Sequence, residues 1–151
     1  MRSYRVVIDE TSEARAALRY AARRASETGG GVILLAVIPP AEFVQWGGVQ
    51  AAIEEEQKLR IEGIVSGAVG EIMDESGLKP SIVIRSGEPT KVVREYVGER
   101  TEVTALVLGA APAGNPGPLV AHFTGSDAGK LPCPVMIIPG SLDDERLEQR
   151  S

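Results

Sequence analysis

The chain has 151 residues, 43% hydrophobic and 25% charged, which is one ordinary globular domain able to bury a core without covalent staples. With 16 basic and 21 acidic residues the net charge is −5, a balance that argues against nucleic acid as a general partner and against a polybasic membrane-surface role. Cys133 is the single cysteine, so no internal disulfide can form; a reducing cytoplasm is the expected location, since MRSYRVVIDE lacks a signal-peptide apolar region and the longest apolar run, Val32 to Ile38, is too short to span a bilayer.

YRVVI, Tyr4 to Ile8, reads as a first strand ending at Asp9-Glu10. Ser12 is the expected N-cap of the helix that follows. Ala14, Ala17, Leu18, Ala21, Ala22 and Ala25 give it an apolar face of small side chains, and Gly29 to Gly31 end it. Val32 to Ile38 is a continuously apolar strand, as expected where both faces are covered, and Pro39-Pro40 stop it. A loop is expected up to Gly48. Ile61, Ile64, Val65, Ala68, Val69, Ile72 and Met73 then mark a long helix, with Gly77 just past its end and Pro80 beyond. Ser81 to Arg85 is a third strand. Pro89 starts a helix with Val92, Val93, Tyr96 and Val97 on one face. Thr104 to Leu108 is a fourth strand. A glycine- and proline-rich stretch follows, with a short helix expected after Pro118. Pro134 to Pro139 is a fifth strand. The domain is expected to occupy residues 1–140, and 141–151 form a polar tail.

Strand and helix alternate throughout, the pattern of right-handed βαβ units and a parallel sheet with helices on both faces. The fold class is α/β, a single doubly wound Rossmann-like domain. Ligands in such sheets bind beyond the carboxyl ends of the strands, at the switch point. Asp9-Glu10, Val37-Ile38 and the loop after Gly109 are therefore the places to search.

The order of these pieces resembles the universal stress protein family. VVIDETSEARAALRYAARRA is similar to that family's first strand, aspartate and alanine-rich helix. LLAVIPP resembles its second strand, IRSGEPTKVVREYVGERTEVTALVLGA its Gly-x-Pro helix start and fourth strand, and LPCPVMIIP its closing strand. The resemblance spans Tyr4 to Pro139. It implies a five-stranded sheet in order 3-2-1-4-5, with YRVVI and TALVL central, in a domain that is usually dimeric and has no settled catalytic reaction. It also implies ATP binding in those members that carry Gly-x2-Gly-x9-Gly-Ser/Thr after the fourth strand. By match, the adenine-side candidates are Asp9, Val37, Leu108 and Gly109.

The phosphate half of that motif is out of register. Gly109 matches its first glycine, but Pro112 and His122 stand where the other two belong. Gly125-Ser126 lies three residues late. Pro112, Pro116 and Pro118 have no N–H to offer a phosphate, and no lysine or arginine occurs from Leu106 to Gly129. Asp127 adds a negative charge. Gly114, Asn115 and Gly117 are left as a small anion nest. The favoured reading is an unusual turn leading into a short helix. TGSDAGKL is not a P-loop: three residues, not four, separate Gly125 from Gly129, and Leu131 replaces the Mg²⁺-binding hydroxyl.

Asp9-Glu10 also suggests the acidic pair of a response-regulator receiver, but the third and fifth strands end in Arg85-Ser86 and Pro139, not the required aspartate and lysine. Asp9 reads equally as a helix cap or as a ligand contact. His122, the single histidine, and Cys133 suggest a base and nucleophile, but nothing in the sequence orients them; a buried structural thiol is favoured. Trp46, beside Phe43, is read as packing on the long helix in preference to covering a ligand. No metal-ligand spacing occurs. The expected function is a non-enzymatic stress-response module with a degenerate nucleotide site, its candidate contacts being Asp9, Val37, Leu108, Gly109, Gly114, Gly117, Gly125 and Ser126. No cofactor is expected; ATP binding with slow hydrolysis is the alternative. The expected partner is a second copy, paired through Val135, Met136, Ile137 and Ile138 of the fifth strand, an apolar edge.

Overall fold

A computed structural model of the chain describes residues 3–39, 47–99, 103–125 and 128–142. Phe43, Trp46, Ser126, Asp127 and most of the polar tail lie outside the described residues.

The chain runs β1 (Ser3–Val7), α1 (Ser12–Thr28), β2 (Gly31–Ile38), α2 (Gly47–Ser76), β3 (Ser81–Ser86), α3 (Pro89–Gly98), β4 (Val103–Ala110), α4 (Pro118–Phe123) and β5 (Val135–Pro139), with a 3₁₀ turn over Ala128–Lys130. The five strands form one parallel sheet in the order β3-β2-β1-β4-β5. The expected topology is therefore the observed one, with β1 and β4 inside the sheet.

Alternation along the strands sorts side chains into two layers. Tyr4, Val6 and Ile8 of the β1 segment, Val32, Leu34 and Ala36 of β2, and Ala105 and Val107 of β4 join a core with α1 and α2. Val7, Leu35, Leu106 and Leu108 point to the other face, against Val93, Tyr96 and Val97 of α3 and Val120 and Phe123 of α4. The alanine face of α1 is fully buried, because small side chains let the helix sit close to the sheet. Arg19 Nε donates to Glu71 Oε1 at 2.9 Å and Arg15 pairs with Glu71 at 3.3 Å, which ties α2 alongside α1.

Several details differ from the sequence reading. Thr11, not Ser12, caps α1: its Oγ1 accepts from Ala14 N at 3.2 Å, so Ser12 becomes the first helical residue. Met73 is 46% exposed, because only Val65, Ala68 and Ile72 of that stretch turn fully inward. β4 runs two residues past Leu108, through Gly109 and Ala110, whose ladder partners are Ile138 and Pro139. Gly109 is thus a strand residue and not the opening of a loop.

Candidate functional site

A cleft of about 350 Å³ lies over the carboxyl edge of the sheet. Small-ligand sites begin at roughly this size. It opens where β1 and β4 lie side by side while their crossovers depart in opposite directions, the switch point of a doubly wound sheet. Val7, Ile8, Val37, Leu108 and Gly109 supply the strand ends. One wall belongs to the α1/α2 layer: Gln57, Arg60, Ile61 and Ile64 of α2. The facing wall is Pro116 to Val120, whose Leu119 and Val120 belong to the α3/α4 layer. Asp9, Glu10, Thr11 and Glu13 add to the lining from the turn into α1, beside Pro39 and Pro89.

That turn is held by Asp9. Its Oδ1 accepts from Thr11 N at 2.8 Å and from Thr11 Oγ1 at 2.5 Å, and Thr11 in turn caps α1. Asp9 therefore orders the residue that caps the helix, a role next to the capping one anticipated for it, while still lining the cleft. Glu10 is paired with Arg60 of α2, both side chains being exposed. This ion pair links the β1–α1 turn to the α2 wall.

Gly109 has a packing reason. A Cβ there would lie 2.0 Å from the Glu13 carbonyl oxygen and 2.9 Å from Ala14 N. The first turn of α1 rests on the bare backbone of β4, and Gly140 is similarly crowded by Glu13 and Ala110.

Beyond β4 the glycine-rich stretch closes on itself. Ala111 N donates to Pro116 O at 3.1 Å and Gly117 N donates to Asn115 Oδ1 at 2.9 Å. Gly117, with φ of 116°, leads directly into α4, which opens at Pro118 as anticipated. Gly125 N donates to His122 O at 3.3 Å. The structure brings Asp9, Val37, Leu108, Gly109 and Gly117 to the cleft and leaves Gly114 and Gly125 out of its lining. Ser126 lies outside the described residues.

His122 and Cys133 do not line the cleft either. His122 meets Phe123 edge-on at 5.0 Å. Cys133 packs against the α3/α4 core, and burial pushes its thiol up from the ordinary value. Near the cleft, Glu88 caps α3: hydrogen bonds from the Thr90 hydroxyl and from the Lys91 and Thr90 amides hold its carboxyl below the usual range. Gln57 and Arg60 were not anticipated. Reading a helix by its apolar period passes over polar positions on the same face, and no motif marks them.

The sequence profile of the universal stress protein family matches residues 4–139. The chain belongs to this family. Among curated proteins none matches. The fold is similar to that of the universal stress protein UspA from Lactobacillus plantarum, with a TM-score of 0.76 at 16% identity, covering 91% of this chain and 97% of that one. It is similar also to a universal stress protein from Archaeoglobus fulgidus in complex with dAMP, with a TM-score of 0.65 at 18% identity and coverage of 91% and 98%. A universal stress protein family protein from Arabidopsis thaliana, with AMP bound, gives a TM-score of 0.64 at 18% identity and coverage of 95% of both chains. At such identities the likeness is one of fold. In this universal stress protein no helix among the described residues is long and apolar enough to cross a membrane. No group of three or more metal-ligating side chains occurs among those residues.

Proposed function

We propose that this universal stress protein is a non-enzymatic ligand-binding module whose cleft takes the nucleoside part of an adenine nucleotide and does not grip a triphosphate chain. The observation that carries this is the division of the site. The apolar strand ends at the switch point are present, but the backbone donors at Ala111, Gly117 and Gly125 are spent within their own segment. Pro112, Pro116 and Pro118 contribute none. Phosphate cradles need several convergent free N–H groups. The carboxylates of Asp9, Glu10 and Glu13 on the lining further disfavour a polyanion. Similar folds solved with AMP and dAMP support an adenine nucleotide as the ligand class.

Isothermal titration with ATP–Mg²⁺ beside AMP tests this. The expected result is that ATP binds no tighter than AMP and that no hydrolysis accompanies it. ATP binding much tighter than AMP, with the difference lost in Gly125→Val, would overturn the reading in favour of a triphosphate-binding member.

The module is proposed to act as a homodimer through β5. This strand ends the sheet beside β4, and its Val135, Met136 and Ile137 are only half-buried within one chain. An apolar edge strand is a template for a second copy.

A further inference from the structure

We infer that the α2 wall reads the sugar and phosphate of the ligand, with Arg60 as the anion-recognising residue and Gln57 as the sugar-recognising one, so that the preferred ligand is a nucleoside carrying a single phosphate. This rests on the reading of the cleft as a nucleoside site and names what completes it.

Three observations meet here. Arg60 is the one cationic side chain among the described residues that line the cleft. It stands in the layer opposite the glycine-rich stretch, whose Ala111, Gly117 and Gly125 amides are committed, so α2 and not α4 carries the formal charge that draws an anion in this cleft. Second, Gln57 lies three residues before Arg60, on the same helix face. Its Oε1 is buried with no hydrogen-bond partner among the described residues. A buried amide oxygen without a donor costs free energy, and a ligand hydroxyl would supply that donor. Third, Arg60 is engaged by Glu10 from the β1–α1 turn. At 60% and 58% exposure the pair is a weak one that a phosphate can replace. A phosphate offers the guanidinium two oxygens in a bidentate geometry, with more charge than Glu10 provides.

Glu10 therefore acts as an internal competitor. It holds Arg60 when no anion is bound and yields it when one arrives. With one cation set against three lining carboxylates, a second and third phosphate would gain nothing from the protein.

The test is the ratio of AMP to adenosine affinity, measured by isothermal titration at low salt. For the native chain AMP should bind about tenfold tighter than adenosine, the size of one charge-assisted contact at a partly exposed site. R60Q should bring the ratio to about one. E10Q should raise it about threefold, since the competing pair is exposed. The ratio should also fall as salt is added. In Gln57→Leu the advantage of adenosine over 2′,3′-dideoxyadenosine should disappear. A ratio that R60Q does not move, with adenosine still binding, overturns the assignment of Arg60 and leaves the nucleoside cleft standing. Failure of the native chain to bind adenosine or AMP overturns both.

Discussion

Gly109 in β4 and Glu13 in α1 are in backbone contact: a Cβ on Gly109 would sit 2.0 Å from the Glu13 carbonyl oxygen. The helix that carries Thr11 and Glu13 is set down on the strand that ends in the cleft, with no side chain between them. Gly109→Ala must push α1 off β4, because the obstructing atoms are backbone and cannot rotate away. A loss of about 1–3 kcal/mol is expected, read as a melting temperature lower by several degrees. Gly63→Ala is the control. Nothing lies within 4 Å of a Cβ there, and an alanine in an exposed helix interior should gain about 0.5–1 kcal/mol. Thermal melts of the two variants should move in opposite directions.

Glu88 makes the α3 cap pH-dependent. Its carboxyl is held below the usual range chiefly by the Thr90 hydroxyl, then by the Lys91 and Thr90 amides. The folded state therefore favours the ionised form. The stabilisation is complete above the unfolded carboxylate value, near 4.3, and is lost as the pH falls through the lowered folded value. Glu88→Ala should melt below the native chain at pH 7, and the gap should close on acidification towards pH 3. A gap unchanged over that range would show that the charge of Glu88 contributes nothing to the cap.

Cys133 should be a sluggish nucleophile. Burial raises its thiol, so the thiolate is scarcer at a given pH than in a free thiol. At pH 8 its alkylation by iodoacetamide should run slower than that of N-acetylcysteine, and should reach the model rate in 8 M urea. Faster reaction in the folded chain would reveal an activating group and revive a catalytic role for the residue.

The proposed β5 interface predicts the oligomeric state. Val135→Lys with Ile137→Lys places two charges on half-buried edge-strand positions that a second strand would have to desolvate. Light scattering should give a dimer for the native chain and a monomer for the variant at micromolar concentration. A native chain already monomeric there would remove the dimer from the account.

By itself the sequence determined the architecture. Continuous apolar runs such as Val32 to Ile38, bounded by Gly31 and Pro39, read as strands covered on both faces, and the alanine stripe of α1 reads as the face of a closely packed helix. Local periodicity and turn residues carry the element order; the sheet order, compatible with that alternation, was legible only through the family resemblance. Asp9 and Val37 were legible as site residues because they stand at strand ends, and Leu108 through its match to the family motif. What lies across from those ends was decided only by tertiary structure. Gly109 matched a phosphate motif in the sequence, yet the space where a Cβ would stand is taken by the Glu13 backbone, brought there by the packing of α1. The α2 wall with Gln57 and Arg60 meets Glu10 through a crossover of some fifty residues. No local pattern encodes that meeting, because it depends on how far α2 runs along the sheet and which of its faces α1 leaves open.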